Sequence, residues 1–162
     1  MRENKVQFMT QAAMIAAIYV VLCIVFEPIS YGAIQTRVAE ALTVLPFFTP
    51  AAVPGLFIGC LAANLLGGGI LLDVAFGSVA TLIGAVGTYL LRKKSRYLAP
   101  LPPIVANVLI IPFVLRYGYG DPLPIPFLMG TVGLGEILSC GMMGTVLLVV
   151  LSRYKRVLFK AA

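Results

Sequence analysis

Residues 6–26 read VQFMTQAAMIAAIYVVLCIVF, an apolar run with no charged side chain. A helix needs about 20 such residues to cross the hydrocarbon of a bilayer. The later runs at 71–91 and 127–151 are as apolar, and each carries a single acid, Asp73 and Glu136. None alternates apolar and polar residues as a membrane β-strand must, so the runs are helical. Composition agrees: 60% of residues are apolar, 11% are charged and mean hydropathy is +1.03, where soluble domains carry about 25% charged residues. The chain is therefore expected to be an all-α integral membrane protein in a lipid bilayer. Arg2 and Lys5 before the first run resemble the start of a secretory leader. The run is too long for one and no A-x-A site follows, so it is expected to be retained as a first helix.

In order, six segments are expected, at 6–26, 37–50, 51–66, 71–91, 101–115 and 127–151. Glu27-Pro28 ends the first and Gly67-Gly68-Gly69 makes a turn. The second segment has only a dozen or so residues, about 18 Å of α-helix. It is short, tilted or re-entrant, and Pro46, Pro50 and Pro54 punctuate it. Ten of the twelve basic residues lie in three places: Arg2 and Lys5, the 92–96 loop, and the 153–160 tail. If all three are cytoplasmic, crossings between them come in pairs. The expected architecture is a six-transmembrane-helix bundle, residues 1–162 as one domain, with both termini cytoplasmic. Four crossings result if segments two and three form a re-entrant hairpin. The net charge of +6 thus reports topology, and no nucleic-acid partner is implied.

This topology gathers the remaining ionisable groups toward the outer side: Arg37, Glu40, Asp73, Arg116, Asp121 and Glu136, with Asn64 and Asn107 at similar depth. Ionisable groups within a membrane helix are costly and point to a functional site. The structural alternative is mutual pairing, above all of Arg37 with Glu40 three residues on. An acid-rich outer pocket suits a ligand that donates hydrogen bonds or carries positive charge; one carboxylate can accept two parallel N–H bonds from an amidine-like edge.

Ala12 with Ala16 and Ala13 with Ala17 place small residues four apart on the first helix, a spacing that lets another helix approach closely. It serves the chain's own bundle or a partner equally well. Gly84, Gly87, Gly133, Gly135, Gly141 and Gly144 are expected at close helix contacts. Cys23, Cys60 and Cys140 are far apart in apolar runs and are expected to be small buried hydrophobes. There is no histidine, so no metal site and no Ser/His pair is implied. There is no P-loop, so any ATP-driven role needs separate subunits. Gly118-Tyr119-Gly120-Asp121 matches the GxGD of intramembrane aspartyl proteases, but Asp121 precedes a proline in a loop and Asp73 is its only candidate partner.

Residues 37–78, RVAEALTVLPFFTPAAVPGLFIGCLAANLLGGGILLDVAFGS, closely resemble the signature of the QueT family, and GLGEILSC at 133–140 is similar to its second block. The resemblance covers essentially the whole chain. It implies an S component, the substrate-binding subunit of an energy-coupling factor (ECF) transporter in the bacterial cell membrane. Such a subunit binds its ligand in an outward-facing pocket and docks on a T subunit and two ATPases. It is thought to topple in the membrane, with ATP hydrolysis resetting it. The family is associated with queuosine precursors, the 7-deazaguanine bases. No enzyme activity and no cofactor is implied.

By depth and chemistry, Glu40 or Glu136 is expected to read the guanine-like edge of such a base, and Asn64 and Asn107 to contact the carbonyl or ring nitrogens. Arg37 is expected to orient Glu40, Asp73 to meet a cationic arm, and Tyr31 to offer a face for stacking. The A-x-x-x-A face that contacts the T subunit falls on Ala12/Ala16 or on Ala13/Ala17. The competing functions are an S component for another vitamin or nucleobase, the GxGD protease, and a purely structural membrane subunit. The protease makes Asp121 essential, whereas transport makes Glu40 or Glu136 essential.

Overall fold

A computed structural model describes residues 2–27 and 36–158, and these are helical with no strand among them. Helix α1 spans Arg2–Val25, a 3-10 helix spans Val38–Phe47, α2 spans Ala52–Leu66 and α3 spans Leu71–Leu91. A 3-10 turn at Arg96–Leu98 leads into α4, Leu101–Tyr117. Helix α5, Ile125–Glu136, passes through a π-helical stretch, Ile137–Met143, into α6, Gly144–Leu158.

Four helical stretches are long and apolar enough to cross a membrane: Lys5–Val25, Leu71–Leu91, Arg96–Tyr117 and Ile125–Tyr154. The 3-10 helix and α2 are shorter apolar helices. The expected second segment is thus short, and it takes the tighter helical form. At about 2.0 Å per residue a 3-10 helix reaches further than an α-helix of equal length. A 3-10 run of ten residues is unusual, because its hydrogen bonds are poorly aligned and runs beyond 3–4 residues are uncommon. Burial supports it. Residues 39–46 are all buried, and the segment packs against α1, α2, α3, the π stretch and α6.

Small residues set the close approaches. A Cβ on Gly84 would come within 2.6 Å of Pro103 Cα, and one on Gly87 within 2.5 Å of Pro102 Cβ, so α3 and α4 meet through them. Gly144 lies as tightly on Val44 of the 3-10 helix, at 2.9 Å. Gly141 is roomier than expected, with nothing closer than 3.8 Å. The turn after α2 uses Gly68 at φ +71°, a conformation that glycine adopts without steric cost.

Outward faces carry large apolar side chains, as lipid-facing helices do. On α1 these include Val6, Met9, Met14, Ile18, Val21 and Val25. The inner face of α1 packs on α2: a Cβ on Gly55 would meet Ala12 O at 2.7 Å, and one on Gly59 would meet Ala16 Cα at 3.1 Å.

Candidate functional site

Polar side chains within the bundle form two adjoining groups. The inner group sits where the 3-10 helix faces α4 and the end of α5. Glu40 is buried in the first turn of the 3-10 helix, 1% exposed, and Glu136 closes α5 at 6% exposed. The Tyr19 hydroxyl, fully buried on α1, donates to Glu40 Oε1. Asn107 Nδ2 donates to Glu136 Oε1 at 2.8 Å. In each acid the second oxygen, Oε2, has no hydrogen-bond partner among the described residues. Arg37, Glu40, Asn107, Ile111, Val132 and Glu136 line one cavity of about 10 Å³, room for about one water.

The geometry of both acids depends on non-α backbone. Glu136 immediately precedes the π stretch, and such stretches occur frequently at functional sites. Within it, Cys140 Sγ lies 3.1 Å from Thr43 Oγ1, and Thr43 Oγ1 also donates to Glu40 O at 2.6 Å. The two irregular elements are therefore tied together beside their acids.

The second group lies at the start of α3. Arg37 Nη2 pairs with Asp73 Oδ2 at 3.3 Å. The Tyr119 hydroxyl donates to the same oxygen at 3.0 Å. Asn64 Nδ2 donates to Asp73 O at 3.3 Å and approaches Cys60 Sγ at 3.7 Å. Gly77 makes room for this group, since a Cβ there would lie 3.0 Å from Asp73 Oδ1 and 3.1 Å from Asn64 Nδ2. A second cavity of about 40 Å³ lies outside it, against Cys23, Glu27, Arg37 and Asn64.

Of the candidate residues, Arg37, Glu40, Asn107 and Glu136 share one cavity, while Asn64 and Asp73 adjoin it through Arg37. Tyr31 lies outside the described residues. The expected Arg37–Glu40 pairing does not form: the ion pair goes to Asp73, because Arg37 is the extended residue before the 3-10 helix rather than part of its face. Ala12 and Ala16 are occupied against α2, whereas Ala13 and Ala17 are exposed. Cys60 and Cys140 are buried, as expected, although each accepts or shares a hydrogen bond.

Sequence reasoning missed Tyr19 and Tyr119. A tyrosine in the middle of an apolar run was the available signal for Tyr19, since a buried phenol hydroxyl needs a partner. Tyr119 lay within the GxGD fragment. There Asp121 serves its own loop: Oδ1 accepts from Leu123 N at 2.9 Å, and its carbonyl accepts from Arg116 Nη1 at 2.8 Å. No cluster of metal-ligating residues occurs among the described residues.

Several membrane-length apolar helices around buried, incompletely paired acids define a multi-pass membrane protein with an internal polar site. The family described as QueT transporter matches residues 9–153, and the chain belongs to that family of membrane transporters. Over 85 residues it is 35% identical to the queuosine precursor transporter QueT of Lactococcus lactis subsp. cremoris (strain MG1363). That match covers 51% of this chain and 50% of the relative, about half the length of each. No solved structure matches.

Proposed function

We propose that this chain is the substrate-specific membrane subunit of an ECF-type importer in the bacterial cell membrane, and that it binds a queuosine precursor between Glu40 and Glu136. The observation that carries this reading is that Glu40 and Glu136 line one cavity and that each has a buried carboxyl oxygen with no hydrogen-bond partner among the described residues. A buried acceptor left without a donor is costly, and two of them beside one cavity suit a ligand with more than one donor. A 7-deazaguanine base is such a molecule: N1–H and the 2-amino group make one donor edge, and an aminomethyl arm adds an ammonium.

Charge favours the same ligand. Asp73, Glu40 and Glu136 are buried, and Arg37 is paired with the first, which leaves the other two acids without an ion-pair contact among the described residues. An ammonium donates to a buried carboxyl oxygen more strongly than a neutral group does, so a cationic arm, as in the aminomethyl base or queuine, is preferred over the neutral nitrile. The family membership and the printed name of the Lactococcus relative support this substrate class. Asn107 and Tyr19 hold the acids in position. Asp73 supports Arg37 rather than the ligand, and Asn64 donates to Asp73 O.

The residues form one domain that crosses the membrane six times with both termini cytoplasmic. The short 3-10 helix can serve as a crossing element because irregular backbone is tolerated in a membrane where protein buries it. The T subunit and its two ATPases dock on the Ala13/Ala17 face of α1, the face that the bundle leaves open. Calorimetric titration of the purified chain with aminomethyl deazaguanine tests the assignment, with guanine and riboflavin as controls. Saturable binding abolished by Glu40→Gln or Glu136→Gln is expected. Saturable binding of riboflavin instead would transfer the chain to another vitamin.

A further inference from the structure

We infer that Arg37 is the movable wall of a single elongated cleft and that its position determines which ligands the site admits. This rests on the reading of Glu40 and Glu136 as the ligand-binding acids. The inner cavity, between those acids, is about 10 Å³, and the outer one, against Cys23, Glu27 and Asn64, is about 40 Å³. They hold about one and three waters, far less than a fused-ring base. Among the described residues that line them, Arg37 alone belongs to both. Moving one side chain therefore joins them.

Three features make Arg37 the part that moves. Among the described residues its ion pair is a single contact of 3.3 Å, not the two-pronged fork that holds an arginine rigidly. Its acceptor, Asp73 Oδ2, also receives the Tyr119 hydroxyl at 3.0 Å, so Asp73 keeps a donor when the guanidinium leaves. The Arg37 side chain is 22% exposed against 5% for Asp73, so an outward swing carries the guanidinium toward water. Opening joins the inner acids to the acceptor groups of Glu27 and Asn64. The joined cleft fits a base with a long donor-bearing arm; the closed one does not.

The first test needs no ligand. Ile111, 7% exposed, lines the inner cavity. Ile111→Cys is placed in a Cys23→Ala background, and the rate of its modification by a small charged thiosulfonate reagent is measured. Asp73→Asn and Arg37→Ala are each expected to raise that rate at least tenfold; unchanged rates in both overturn the inference. Asp73→Asn keeps the size of the side chain and its place beside Tyr119, so the test survives if Arg37→Ala fails to fold. The second test is stopped-flow association of aminomethyl deazaguanine and of queuine. Asp73→Asn is expected to speed both, queuine more. A tenfold loss of affinity for both ligands in Arg37→Ala, with modification rates unchanged, would make Arg37 a ligand contact and overturn the wall. Faster modification in a protein that binds neither ligand would sink the substrate assignment and leave the wall supported.

Discussion

At the residue scale the account turns on four side chains, in two donor–acid pairs. Tyr19 and Asn107 each occupy one oxygen of an acid, and the other has no hydrogen-bond partner among the described residues. Tyr19→Phe removes a hydrogen bond to a carboxylate and nothing else of the ring. Such bonds contribute about 1.5–3 kcal/mol. If Tyr19 positions Glu40 for the ligand, calorimetry should show affinity lowered by about tenfold or more while the melting profile keeps a single cooperative transition. An affinity equal to that of the unsubstituted chain would mean that Glu40 does not need the phenol. Gly77→Leu should disturb the other group, since a Cβ alone already lies 3.0 Å from Asp73 Oδ1. Much of this scale was legible. Acids and amides inside apolar runs stand out because burial makes them costly. The partners were not: Tyr19 sits in a helix whose apolar pattern hides a phenol, and Arg37 finds Asp73 across 36 residues, a pairing that only the packing of the 3-10 helix on α3 decides.

At the element scale, two departures from α-helical geometry place the acids. Neither the 3-10 form of Val38–Phe47 nor the π form of Ile137–Met143 has a period that a continuously apolar sequence reveals. The four long helices were legible because length and hydropathy suffice for them. The interhelix contacts were legible in part. Glycines at 84 and 87 do admit prolines of α4, whereas Gly141 has ordinary clearance. Gly84→Leu should therefore separate α3 from α4 and lower the melting temperature of the detergent-solubilised chain by several degrees. Overpacking of a tight core costs about 1–3 kcal/mol. Gly141→Ala should be tolerated to within a degree or two. Equal effects at the two sites would contradict the packing described.

At the scale of the whole molecule, the two small-residue faces of α1 differ. Its Ala12/Ala16 face closes on Gly55 and Gly59, and its Ala13/Ala17 face is open. The sequence supplied both spacings and could not choose between them, because the choice depends on where α2 lies. Ala13→Leu with Ala17→Leu should abolish capture of the chain by a T subunit–ATPase module and leave ligand affinity within about twofold. Ala12→Leu with Ala16→Leu should instead destabilise the chain itself. The reverse assignment of these phenotypes would mean that the partner uses the inner face.

The most direct measurement is calorimetric titration of the purified chain with aminomethyl deazaguanine, alongside Glu40→Gln and Glu136→Gln. The account predicts saturable one-to-one binding that either substitution reduces at least a hundredfold, and weaker binding of the nitrile form. Undiminished binding in both variants, or no binding to a chain shown to be folded, would contradict it.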